Sequence, residues 1–195
     1  MNQEKKMSTE TMVLGALLTA LVFVLQFMGA FVRFGPFSIS LVLIPIVIGA
    51  ACCGKGVAAW LGLVFGAAVF ASGDAAAFLA VNIPGTIITV LAKGVACGFF
   101  AGIIYNLLKK HNRYVAVAAA AIICPVVNTG IFLIGCKLFF MDTVAQWAEA
   151  AGLGGNVGKF MIVGLVGTNF LVEMVSNIVL SPIVVRLLNI RSKQN

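Results

Sequence analysis

The chain has 195 residues, of which 62% are hydrophobic and only 10% charged, with a formal net charge of +7. A mean hydropathy of +1.12, in long apolar runs separated by short polar breaks, reads as an all-α integral membrane protein. The alternating strands of ~10 residues that would mark a membrane barrel are missing from the sequence. The basic excess sits where the positive-inside bias of a membrane protein puts it, so it implies no nucleic-acid partner.

Six apolar segments follow in chain order: Met12 to Ala30, Ser38 to Cys53, Val57 to Ala71, Ile83 to Leu108, Tyr114 to Phe140 and Gly158 to Leu188. They predict a single membrane domain of six transmembrane helices. The first follows Lys5 and Lys6, as a signal peptide would. Its length exceeds the ~7 to 15 residues of a signal-peptide core and no small-x-small site closes it, so it reads as the first helix. The second and third are short, rising only ~24 Å against a hydrocarbon core of ~30 Å, so neighbours must shield them or they end at a cavity. Between them, Gly49-Ala50-Ala51-Cys52-Cys53-Gly54-Lys55-Gly56 approaches the phosphate-binding loop pattern. Gly56 stands where a Ser or Thr would hold magnesium, and a membrane helix precedes it instead of a strand, so the stretch reads as a cytoplasmic turn. The last three segments are long enough to tilt or to project into water.

Placing the N terminus inside puts Lys5, Lys6, Lys55, Lys109, Lys110, Arg113, Arg186, Arg191 and Lys193 on the cytoplasmic side. Arg33 and Lys159 then lie in or beside the outer loops, and both termini are cytoplasmic.

The fourth segment carries Asn82, Thr86, Thr89 and Lys93 at helical spacing, within roughly 60° of one another around the helix. An ionisable group in hydrocarbon costs ~2.5 to 3.5 kcal/mol or more, so Lys93 should face a partner or a wet cavity, and the stripe is a candidate binding wall. Gly94, Gly98 and Gly102 form another row on the same helix. Together with Gly62 and Gly66 of the third segment, they let backbones approach closely. Ala16 and Ala20 make a further small-xxx-small pair on the first. Asn128 and Thr129 follow Pro125, which removes a helix hydrogen bond. Asn169, Glu173 and Asn177 share one face of the last segment. Lys93 and Glu173 come to similar depth from the outer side, as a buried structural pair or as a pair that also touches ligand. The five cysteines, Cys52, Cys53, Cys97, Cys124 and Cys136, lack metal-ligand spacing, and His111 is in a basic loop, so no metal or cofactor is expected.

The opening Ala16-Leu-Leu-Thr-Ala20, the run Gly35 to Gly49, the segment Gly62-Leu-Val-Phe-Gly66 and the stretch Lys93 to Tyr105 resemble S components of energy-coupling factor (ECF) vitamin transporters. The resemblance covers nearly the whole chain. It implies a non-enzymatic substrate-binding subunit in a prokaryotic plasma membrane, capturing a water-soluble vitamin or related micronutrient from outside. A membrane coupling subunit and two cytoplasmic ATPases would supply the energy. It also implies that Ala16 and Ala20 contact the coupling subunit. By position it assigns ligand binding to Arg33, Asn82, Thr86, Lys93, Asn128, Asn169 and Glu173, with the first outer loop as a lid. The loop from Met141 to Val157, with Trp147, reads either as an interfacial anchor or as a lid. Arg33, Lys93 and Lys159 favour a carboxylate-bearing vitamin such as pantothenate, offset by Asp74, Asp142, Glu149 and Glu173. Two other classes stay open. An intramembrane enzyme would need a nucleophile and base in one cavity, and the scattered acids argue against it. A ligand-free assembly protein would make the polar stripe a packing surface.

Overall fold

The computed structural model describes residues 8–30, 33–34, 37–38, 41–153 and 156–194. The described residues form α1 (Thr9–Ala30), a minimal antiparallel ladder of β1 (Arg33–Phe34) and β2 (Phe37–Ser38), then α2 (Leu43–Cys52), α3 (Lys55–Ala71) and α4 (Ala76–Leu79). Next come α5 (Ile83–Leu108), α6 (Arg113–Phe139), α7 (Met141–Ala150) and α8 (Val157–Lys159). A π-helical segment (Phe160–Gly167) then leads into α9 (Thr168–Gln194).

Four described helical runs are long and apolar enough to cross a membrane: Thr9–Ala30, Ile83–Leu108, Arg113–Phe139 and Val157–Arg186. The expected second span is shorter than its apolar run, because Ser38 pairs with Arg33 in the ladder and the helix starts only at Leu43. Large apolar side chains face outward around the bundle, with Leu17 63%, Leu107 68%, Leu138 68% and Val179 66% exposed. Such a belt has no place in water, and a bilayer accepts it.

The centre of the bundle is α5, which packs most extensively on α6 and α3. Its start is fixed by Asn82, whose side chain accepts a hydrogen bond from the Gly85 amide at 2.9 Å, with Pro84 in the first turn. The seam with α3 is made of glycine. A Cβ on Gly62 or Gly94 would overlap the other's carbonyl oxygen, and one on Gly98 would overlap that of Ala58. The backbones of the two helices therefore touch directly, and the row of small residues is an internal seam. Short α2 is enclosed against this pair, with Leu43, Ile46 and Ala50 fully buried.

The stretch resembling a phosphate-binding loop is the turn from α2 into α3. Gly54 stands there at φ 91, a left-handed conformation that favours glycine, and both Cys53 and Gly54 amides donate to the Gly49 carbonyl. Segment 141–153 is mostly helical: α7 buries Val144 and Ala148 and turns away at Gly152, φ 73.

Candidate binding site

The C-terminal ends of α1, α3 and α6, the N-terminal end of α5 and the π-helical segment meet at one end of the bundle. A cavity opens there and reaches inward between α3, α5, α6 and α9. About 90 Å³ of it accepts the centre of a water molecule.

One wall is the polar face of α5, where Thr86, Thr89 and Lys93 all border the cavity. The Thr86 hydroxyl donates to the Asn82 carbonyl at 2.7 Å, leaving its lone pairs free, while Thr89 Oγ1 is buried without a partner. Asn82 is not on this wall. Its side-chain oxygen serves as the N-cap, because the first amides of a helix need an acceptor that the helix cannot supply.

The Lys93 ammonium lies 5.4 Å from the centroid of Phe65 on α3 and 5.4 Å from that of Phe132 on α6. Cation–π contact of this kind stabilises a charge that has left water. Among the described residues no carboxylate lies within 4.0 Å of its Nζ. The direct ion pair with Glu173 weighed from the sequence is therefore not formed, although both residues border the same space.

The opposite wall comes from α6 and α9. Glu173 is 1% exposed, and its Oε1 accepts from Asn169 Nδ2 at 3.3 Å. Glu173 Oε2, Asn169 Oδ1 and Asn128 Oδ1 are buried without partners. Leaving such groups unpaired costs ~1 to 3 kcal/mol each, more for a charge, so a site with four of them is built for something that pairs them. Asn177 is not one of these: its Nδ2 donates at 2.8 Å to the Glu173 carbonyl one turn back. Pro125 sits inside an unbroken α6, and its i−4 residue, Ala121, does not border the cavity.

The mouth is aromatic. Phe78 of α4 sits edge-on to Phe132, Phe140 and Trp147, with centroids 5.6, 5.0 and 5.4 Å away. Trp147 thus braces the mouth from α7. Asp142, Glu149 and Lys159 are exposed and border no part of the cavity. The Arg33 side chain lies outside the described residues; only its backbone pairing with Ser38 is described.

Two features escaped the sequence reading. Gln26 is 3% exposed on the cavity wall, donating from Nε2 to Asp74 Oδ2 at 2.6 Å and to Ser72 Oγ at 3.1 Å. It is the lone amide in the first apolar run, and that isolation was the available signal. The π-helical segment was also unforeseen. Its i→i+5 pattern adds a residue per turn just before Asn169 and places Leu165 and Val166 on the cavity. Among the described residues no group of three or more His, Cys, Asp or Glu could hold a metal.

A membrane-helical bundle with a polar, ligand-sized cavity at one end is the architecture of a substrate-binding transport subunit. Residues 10–185 match the family described as "ECF transporter, substrate-specific component", and the chain belongs to that family. It is a substrate-binding subunit of an ECF transporter, which associates with a coupling subunit and ATPases. No curated protein matches the chain.

Proposed function

We propose that this subunit captures a water-soluble vitamin or related micronutrient from outside the cell, at the cavity described above. The carrying observation is the convergence of four buried, unpaired polar atoms, from Thr89, Asn128, Asn169 and Glu173, on one cavity. On this reading the chain spans a prokaryotic plasma membrane six times, with α2 and α3 as the short spans. Both termini are cytoplasmic. The cavity then faces outward, since its mouth lies at the end away from Lys55, Lys109, Lys110 and Arg113.

Thr86, Lys93, Asn128, Asn169 and Glu173 contact the ligand, joined by Arg33 from the outer loop, and Asn82 acts by capping α5. Ala16 and Ala20 are exposed on α1 beside Leu17, Val13 and Val24, on a face far from the cavity that suits docking of the membrane coupling subunit. Two cytoplasmic ATPases then drive release inward.

Mass spectrometry of ligand extracted from the purified protein, followed by uptake of that compound into vesicles holding the coupling subunit and ATPases, tests the proposal. A stoichiometric water-soluble micronutrient and ATP-dependent uptake are expected. A protein that carries no small molecule and supports no uptake would overturn it.

A further inference from the structure

We infer that the ligand is a small monoanion, in its simplest form a carboxylate, whose other end carries hydroxyl or N–H donors. It completes from within an ion pair that the fold holds apart. This rests on the capture reading above and names the chemistry that the same cavity would select.

The two poles of the cavity are unsatisfied in complementary ways. Lys93 offers only donors, and its described neighbours at 5.4 Å are the rings of Phe65 and Phe132, which present π faces in place of acceptor lone pairs. Asn169 Oδ1 and Asn128 Oδ1 are acceptors only, as is Glu173 Oε2 when the carboxylate is ionised. The Asn169 amide is fixed in this sense because its Nδ2 donates to Glu173 Oε1; the flipped amide would set two oxygens against each other. Thr89 Oγ1 can serve either partner.

A ligand with donors at both ends leaves Lys93 without an anion, and one with acceptors at both ends leaves the Glu173 pole unpaired. Only a ligand with an anion at one end and donors at the other closes both. The third charged group on the wall, Asp74, is engaged by Gln26 at 2.6 Å. The rest of the wall includes apolar side chains, Val69, Val90, Phe140 and Leu165 among them, so part of the ligand is apolar too.

The test titrates the full chain, purified in detergent and stripped of ligand, with acids and their neutral counterparts: pantothenate against pantothenol, and biotin against its amide. At least one acid is expected to bind, at least about tenfold more tightly than its counterpart. Lys93→Met should lower the affinity for that acid by about 10- to 100-fold and change that of the neutral counterpart by no more than about twofold. Glu173→Gln should weaken both members. Because Lys93 has no carboxylate partner, any stability lost by the ligand-free Lys93→Met protein should not return when Glu173→Gln is added, whereas recovery in the double variant would mark a structural ion pair and overturn the inference.

Equal binding of acid and counterpart, an unchanged acid affinity in Lys93→Met, or no binding by any acid tested would each overturn it as well. A neutral or cationic compound that co-purifies and is taken up with ATP would overturn the monoanion while leaving the capture reading intact. Absence of any bound compound and of any uptake would remove both.

Discussion

Gly62→Ala tests the seam on which the cavity's geometry depends. A Cβ at position 62 would stand 2.5 Å from the Gly94 carbonyl carbon, where unstrained carbons keep ~3.5 to 4.0 Å. The obstacle is backbone, so no rotamer relieves it, and α3 and α5 must separate by about 1 Å or more. Overpacking of this kind costs about 1 to 3 kcal/mol. At about 2 to 4 °C per kcal/mol for a chain of this size, the unfolding midpoint should fall by about 2 to 12 °C. Phe65, one turn further along α3, would move away from the Lys93 ammonium, so ligand affinity should fall too. Unfolding can be followed with a thiol-reactive fluorophore, since Cys97, Cys124 and Cys136 are buried until the bundle opens. Gly130→Ala is the internal control: nothing lies within 4 Å of its Cβ position, and the gain in helix propensity, about 1 kcal/mol, should leave the midpoint unchanged or higher. Equal midpoints for the two variants would refute the backbone-on-backbone seam.

Thr89→Val removes a buried hydroxyl that has no partner, so the ligand-free protein should unfold within about 2 °C of the parent while ligand affinity drops by about 5- to 20-fold; a destabilised apoprotein with full affinity would show the hydroxyl to be structural. Phe78→Ala takes the central ring from a four-ring cluster at the mouth and should raise the ligand dissociation rate by about tenfold or more in a stopped-flow chase, an unchanged rate arguing that exit lies elsewhere. Ala16→Trp with Ala20→Trp should leave ligand binding intact and abolish co-purification with the coupling subunit, because both positions are exposed on α1 and away from the cavity. Normal ATP-dependent uptake by that double variant would move the docking surface off this helix face.

The common face of Thr86, Thr89 and Lys93 was legible because an intramembrane polar residue is costly and helical spacing says which ones stand together. The face of Asn169 and Glu173 was legible in the same way. The capping role of Asn82 was hidden because the oxygen that could bind a ligand is also one that can cap a helix, and only the helix start at Ile83 shows that it does so. Sequence depth put Lys93 and Glu173 at similar heights, but it carries no information on lateral separation across a cavity, so the gap between them could not be read. Gln26 was lost because a single amide sets up no periodicity. The late start of α2 and the π-helical segment depend on tertiary pairing and on i→i+5 bonding, neither of which leaves a mark on an apolar run.

Interfaces made of side chains can slide, because rotamers exchange as elements shift. The glycine seam between α3 and α5 has no rotamers to exchange, so it resists sliding of one helix past the other. Phe65 and Lys93 stand on the two helices of that seam, whereas Phe132 on α6 and Glu173 on α9 belong to helices packed through side chains. The cavity's cation is thus carried by the two helices whose backbones touch, and its acceptors by helices packed through side chains.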